Sequence, residues 1–310
     1  MVGESPGFSS RSKTERCPTM IDLDSYRWLR IEPADAWFFR DGRPCNRGED
    51  QGDVESEFPP NSTTVVGALR AALARENGWA GYGSWADQST QLKRVLGDGF
   101  EDLGQLRFLG PFLCKQMEVS DGRTLREELL WPLPQHVVGR FEDGRFVPLD
   151  LMEPSPEVVC CDVHPGGVQL AAPRMSTRGA VVHHEMRSQK PPSHPSDVFV
   201  TTAGLNTILQ GEVPSATECF LREDLYTHEA RVGIRREPVT RTTGGGDIYH
   251  PRYVRLRPDV WLVEGVAGVP EDWAWPRVMP LGGESRMALV SRLDEPPSFP
   301  VGRSGSAAMV

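Results

Sequence analysis

Apolar and polar positions along this chain alternate in short blocks, and one block carries a sustained helical period. Val65, Val66, Leu69, Ala72 and Leu73 fall at helical spacing, with Ser62 or Thr63 placed to cap the start and Gly78 to end the run. Before it, Tyr26–Ile31 reads as a strand, because Tyr26, Trp28 and Leu29 supply the bulk that a pleated surface favours. A polar loop from Arg40 to Asn61 joins the two. The opening unit is therefore strand, loop, helix, with the loop over a helix N-terminus whose unpaired N–H groups suit anions.

Downstream the pattern turns to β. After a second helix at Gln91–Leu96, Leu106–Leu113 and Glu128–Trp131 read as strands. His136–Arg140 and Arg145–Leu149 flank Glu142-Asp143-Gly144, a hairpin signal because Asp-Gly tolerates positive φ. Residues 185–197 are rich in Pro, Ser and His and read as a connection; Val200–Leu209 predicts a short helix stopped by Gly211. Thr227–Glu237 and Val239–Thr243 are charged extended segments before Gly244-Gly245-Gly246. Tyr253–Arg257 and Val260–Val266 read as a hairpin around Pro258-Asp259, and a glycine turn at Leu281–Arg286 runs into the apolar Met287–Val290. No period of repetition is present. The order predicts an α+β fold with antiparallel sheet.

Composition keeps this picture globular: 38% of residues are hydrophobic and 25% charged, and the 31 Gly and 27 Pro are scattered rather than periodic. No apolar run approaches the roughly 18–20 residues that cross a bilayer, and Met1–Cys17 is polar and Ser-rich, so a cytosolic protein without a membrane partner is expected. The six cysteines contain no C-x-x-C pair, and neither a disulfide framework nor a cofactor is expected. Cys160-Cys161-Asp162-Val163-His164 is better read as strand residues than as a metal site.

Charge changes the picture more. The net charge of −9 argues against adhesion to nucleic acid through the mean field and leaves room for a local patch. Lysine occurs only at Lys13, Lys93, Lys115 and Lys190, and the other basic residues are arginine, which suits bidentate phosphate contact and base stacking. Residues 231–257 hold Arg231, Arg235, Arg236, Arg241, Arg252, Arg255 and Arg257 against Glu237 and Asp247, with Tyr249 and Tyr253 interleaved. Such a segment is either a solvated hairpin surface or a nucleic-acid patch in which the tyrosines stack on bases. Catalytic signals are absent: His183-His184-Glu185 lacks metalloprotease spacing, and no nucleophile elbow, kinase set, phosphate loop or dinucleotide fingerprint occurs.

Several segments in order resemble one family, the third subunit of the Cmr complex, the type III-B CRISPR effector, within the RAMP superfamily of RNA-binding proteins. They are Arg40-Asp41-Gly42-Arg43-Pro44, Phe58-Pro59-Pro60 with Thr63/Thr64, Gly67-Ala68-Leu69-Arg70, Gly110-Pro111-Phe112-Leu113 and Pro132-Leu133-Pro134. Further on come Gly233-Ile234, Thr240-Arg241-Thr242, Ile248-Tyr249 and Gly282-Gly283-Glu284-Ser285-Arg286. The resemblance spans about residues 26–290, and its specificity lies in the combination.

The resemblance implies tandem ferredoxin-like units of RRM type with long inserted loops. It implies a non-catalytic subunit that holds the 5′ repeat-derived handle of the guide RNA. The expected partners are that handle, the large polymerase/nuclease-like subunit and the backbone subunit. Candidate RNA or assembly contacts are Arg40, Arg43, Arg70, Arg231, Arg235, Arg236, Arg241, Tyr249, Gly282, Gly283 and Arg286. The expected division is a polar extension over 1–25, an N-terminal unit over 26–184, the connection 185–197, a C-terminal unit over 198–292 and a mobile tail over 293–310. The short stretch after the glycine turn implies an incomplete second unit. The rival reading, a metal-independent repeat-RNA endoribonuclease of the same superfamily, wants a histidine near the first helix, and the first histidine is His136.

Overall fold

The structure, a computed structural model, describes residues 21–40, 55–99, 101–118, 125–159, 168–173, 197–234, 240 and 248–301. In chain order, β1 (Arg27–Pro33) is followed by three helices, α1 (Ser62–Glu76), α2 (Trp85–Gln88) and α3 (Thr90–Leu96). Then come β2 (Arg107–Glu118), β3 (Leu125–Pro132), β4 (Val137–Glu142), β5 (Arg145–Val159) and β6 (Val168–Pro173). β7 (Val198–Thr201), α4 (Thr202–Leu209), β8 (Cys219–Leu221), β9 (Tyr226–Ala230) and β10 (Gly233–Ile234) follow. The last elements are β11 (Ile248–Tyr249), β12 (Arg252–Leu256), β13 (Val260–Ala267), β14 (Val278–Pro280) and β15 (Met287–Arg292).

Eight strands form the main sheet in the order β14-β15-β1-β13-β2-β3-β7-β8, and each recorded pairing in it is antiparallel. The fold is α+β, as the sequence pattern indicates. Smaller sheets join β4-β5-β6, β9-β12 and β10-β11. β13 lies between β1 and β2, and β3 pairs with β7, so strands from both sides of residues 185–197 share one sheet.

Helix α1 forms where the period predicts, but its cap is Asn61 rather than Ser62 or Thr63: the Asn61 side chain accepts from the Thr63 N–H at 3.0 Å. Val65, Leu69 and Ala72 lie on one stripe and pack against Leu29, Ile31, Leu113, Leu262, Val266 and Val290 of the sheet. Each fully buried aliphatic side chain of this layer contributes about 1.5–3 kcal/mol relative to exposure. The opposite face buries Trp28, Cys114, Leu129, Trp261 and Val263.

Three sequence expectations are corrected. Tyr253–Arg257 and Val260–Val266 are strands but not partners: β12 pairs with β9, while β13 crosses into the main sheet. The alternating pattern specifies extension, and the wholly buried β13 finds its partners from distant segments. The stretch from Val200 is strand before it is helix, with Thr201 ending β7 and capping α4 through the Gly204 N–H. Residues 293–301, expected to start a mobile tail, lie across the second face: Leu293 donates to the Trp28 carbonyl, and Phe299 packs on Trp28, Phe112 and Trp131.

Candidate nucleic-acid interface

The turn between β14 and β15 closes on itself, with the Leu281 N–H donating to the Arg286 carbonyl at 2.8 Å. Gly282 has φ +83°, and a Cβ there would stand 2.6 Å from the carbonyl oxygen of Phe38. Gly283 donates its N–H to that same oxygen at 2.7 Å. The two glycines therefore allow a close approach to the extended segment at Phe38–Phe39, beyond β1. The chain at Arg40 pairs with Ser56, and the Ser56 hydroxyl takes the Phe39 N–H and donates to the Arg252 carbonyl.

These contacts open a cleft of about 320 Å³ lined by Phe39, Arg40, Glu57, Asn61, Thr64, Ala68, Pro280, Gly282 and Gly283. Arg40 is exposed at its edge, and the first turn of α1 enters through Asn61 and Thr64. Segments some 240 residues apart in the chain thus meet at one place, and a cation, a helix N-terminus and a glycine turn together suit a phosphate-bearing ligand.

Arg70 is elsewhere. It is buried, its guanidinium donates to the carbonyls of Leu96, Gly99 and Asp102, and it lies 5.4 Å over the ring of Trp85. It caps the end of α3 and braces the 97–102 loop, and burial lowers its pKa.

The arginine-rich segment is also partnered in ways its own sequence hides. Arg231 donates through Nε to Glu229 at 2.7 Å and through Nη2 to Asp35 at 2.8 Å. Arg255 does the same, Nε to Glu229 at 2.6 Å and Nη2 to Asp35 at 2.8 Å. Two arginines and two carboxylates close a ring, and Arg286 approaches it, 3.6 Å from Asp35. The hydrogen bond from Arg231, then that from Arg255, holds the Asp35 carboxyl below its ordinary pKa; the same two arginines in the reverse order do so for Glu229.

Tyr253 does not offer its face to a base: it is 4% exposed, with Arg286 and Arg231 at 4.3 and 4.7 Å from its ring centre. Arg252 lies 3.8 Å from Glu55, and Arg257 donates to the Glu223 carbonyl. Tyr249 is placed by its backbone in β11, opposite Gly233. Arg43, Arg235, Arg236 and Arg241 lie outside the described residues, as do Cys160–His164 and His183–Glu185. Asp35 and Glu229 are the residues that sequence reasoning missed: nothing local marks Asp35 as the partner of Arg231 and Arg255, 196 and 220 positions away, and Glu229 lies just outside the arginine-rich segment.

The model of the CRISPR-associated protein family Cas_Cmr3 matches residues 29–301. The chain belongs to this family. The matched span contains the cleft, the ring and the segment crossing the second face of the sheet. Two solved structures are similar: a chain of the type III-B Cmr-beta complex bound to cognate target RNA and AMPPnP, state 1, and one of the same complex bound to cognate target RNA. Identity is 16% in both, with TM-scores of 0.41 and 0.40 and 87% of this chain covered. This chain spans 63% and 64% of the length of those chains. No curated protein matches.

Proposed function

We propose that this chain is a non-catalytic, guide-RNA-binding subunit of a type III-B CRISPR ribonucleoprotein. It holds the 5′ repeat-derived handle of the guide and anchors the large subunit and the backbone subunit. The observation that carries the reading is the family match together with the cleft, where Arg40, the start of α1 and Gly282–Gly283 converge although they lie far apart in sequence. The described residues that line the cleft offer a cation, a helix start and a glycine turn, which suit binding of a phosphate-bearing ligand.

The finer fold reading belongs to the same proposal. The order β15-β1-β13-β2, with α1 between β1 and β2, is the strand order 4-1-3-2 of a ferredoxin-like unit. Residues 268–286, carrying β14, occupy the position of that unit's second helix. On this reading the second unit is inserted within the first, between β2 and β13, rather than following it.

The experiment is binding of a handle RNA and a scrambled RNA of equal length to the purified chain, alone and with the large subunit. Preference for the handle, weakened by Arg40→Ala without loss of folding, is the expected result. Equal affinity for both RNAs in both settings, or handle cleavage that tracks protein concentration, would overturn the reading.

A further inference from the structure

The ring of Asp35, Glu229, Arg231 and Arg255 has a geometry that stability alone does not explain. Asp35 is 46% exposed in its side chain, Arg255 42% and Glu229 35%, and solvent-screened ion pairs of this kind contribute little each. Yet every oxygen of the two carboxylates accepts from an arginine, and each arginine spans both acids with its Nε and Nη2 edge. That edge is the fork an arginine turns towards a phosphate. With Arg286 beside Asp35, three guanidiniums face two carboxylates, leaving a net charge of +1 where the arginines alone would give +3.

The ring also joins four segments. Asp35 follows β1, Glu229 is the penultimate residue of β9 with Arg231 just beyond it, Arg255 is in β12, and Arg286 leaves the glycine turn of the cleft. The arginine-rich stretch that follows Ile234 starts at Arg235, four residues beyond Arg231. Asp35 is therefore bonded to Arg231, which precedes that stretch in sequence, and lies 3.6 Å from Arg286 of the glycine turn.

We propose that Asp35 is a specificity-determining residue of the RNA interface, occupying with Glu229 the phosphate-binding edges of Arg231 and Arg255 and so preventing indiscriminate capture of polyanions. The inference rests on the guide-binding reading. It assigns to the acids the task of keeping the arginines' charge from acting as a general RNA sink, and to the handle the contacts that remain.

The test compares wild type with Asp35→Asn, Glu229→Gln and the double variant Asp35→Asn/Arg255→Gln, in which the ring regains its wild-type net charge. Handle and scrambled RNA are titrated at several salt concentrations, and elution from heparin is read in parallel, with thermal melting as the folding control. One uncovered charge should steepen the log–log salt slope by about 0.7 and tighten scrambled RNA about fivefold at roughly 0.1 M salt. The handle-to-scrambled preference should then fall, heparin elution should move to higher salt, and the double variant should return to wild-type elution. Glu229→Gln uncovers the same edges from the other side and replaces Asp35→Asn if that variant does not fold. A folded single variant with unchanged preference and elution overturns this inference alone. A double variant that stays shifted overturns it too, since loosening rather than charge would then be the cause. A wild-type chain with no preference for handle RNA overturns the guide-binding reading, and with it the specificity role.

Discussion

Gly283 donates its N–H to the carbonyl of Phe38 at 2.7 Å, so the turn between the last two strands is fastened to the chain just after the first. Gly282 faces the same oxygen from a left-handed conformation, φ +83°. A methyl group at 282 meets both a forbidden backbone region and an oxygen at 2.6 Å, whereas at 283 it meets only the ring of Phe38 at 3.0 Å. Gly282→Ala should therefore cost about 1–3 kcal/mol in denaturant unfolding, and Gly283→Ala distinctly less. Equal costs would mean that the turn is not held against Phe38.

Arg70 tests the separation of folding from binding. Its charged donors serve three backbone carbonyls in a buried place. Arg70→Ala leaves those acceptors without partners and should cost on the order of 3 kcal/mol, and Arg70→Lys should recover only part of it, because an ammonium lacks the planar fork. Where the variant remains folded, its salt slope for RNA should equal that of wild type. A flattened slope would place Arg70 at the RNA after all.

Burial pushes the Glu264 carboxyl up to about 8, and neither of its oxygens has a hydrogen-bond partner among the described residues. In the unfolded chain this group ionises near 4.5, so below that pH it is neutral in both states and costs nothing by linkage. Between the two values only the unfolded chain releases the proton, and its share of stability is lost steadily as pH rises to about 8. Glu264→Gln should flatten the dependence of the denaturation midpoint between pH 5.5 and 8 and raise the midpoint at pH 8. The same slope in both proteins would show that Glu264 is ionised in the fold.

Truncation after Arg292 should destabilise the chain rather than trim a loose end. Phe299 lies 5.4 Å from both Trp28 and Phe112 in ring-centre distance, and Val301 donates to the Asn206 side chain at 2.7 Å. Phe299→Ala should cost about 2 kcal/mol, less than a fully buried phenylalanine because the ring keeps some exposure. Limited proteolysis should spare residues 293–301 in wild type and cut there in the variant.

What was legible in the sequence follows from range. Helix α1 carries its own period and turn residues, and the Asp143-Gly144 turn has both residues at positive φ, so these follow from local rules. Partner choice among strands did not, because β12 and β13 look alike over a few residues and differ only in which distant strands bury them. The cleft was legible in pieces: Arg40, Gly282 and Gly283 were named as candidates, and the fold brings them together. The arginine patch was misjudged in the other direction. Counting charges within 231–257 omits Asp35, Glu229 and Glu55, which the fold delivers to Arg231, Arg255 and Arg252.

A chain of net charge −9 must bind RNA through a focused patch, since its mean field repels a polyanion. Arg231, Arg255 and Arg257 are engaged by acids or by a backbone carbonyl, so within this segment the test falls on Arg235, Arg236 and Arg241, the candidates named from the sequence. Replacing Arg235, Arg236 and Arg241 by Ala should flatten the log–log salt slope for single-stranded handle RNA by up to about 2, at about 0.7 for each lost phosphate contact. Arg257→Ala should leave the slope unchanged, because its guanidinium is directed at the Glu223 carbonyl, and should appear only as a small loss of stability. Substituting Arg11 and Arg16, outside the family match, should change neither quantity. The measurement is handle binding at three salt concentrations with the large subunit present. Wild-type affinity and slope in the triple variant would show that the segment is a solvated surface, and would leave the cleft at Arg40 to carry the RNA alone.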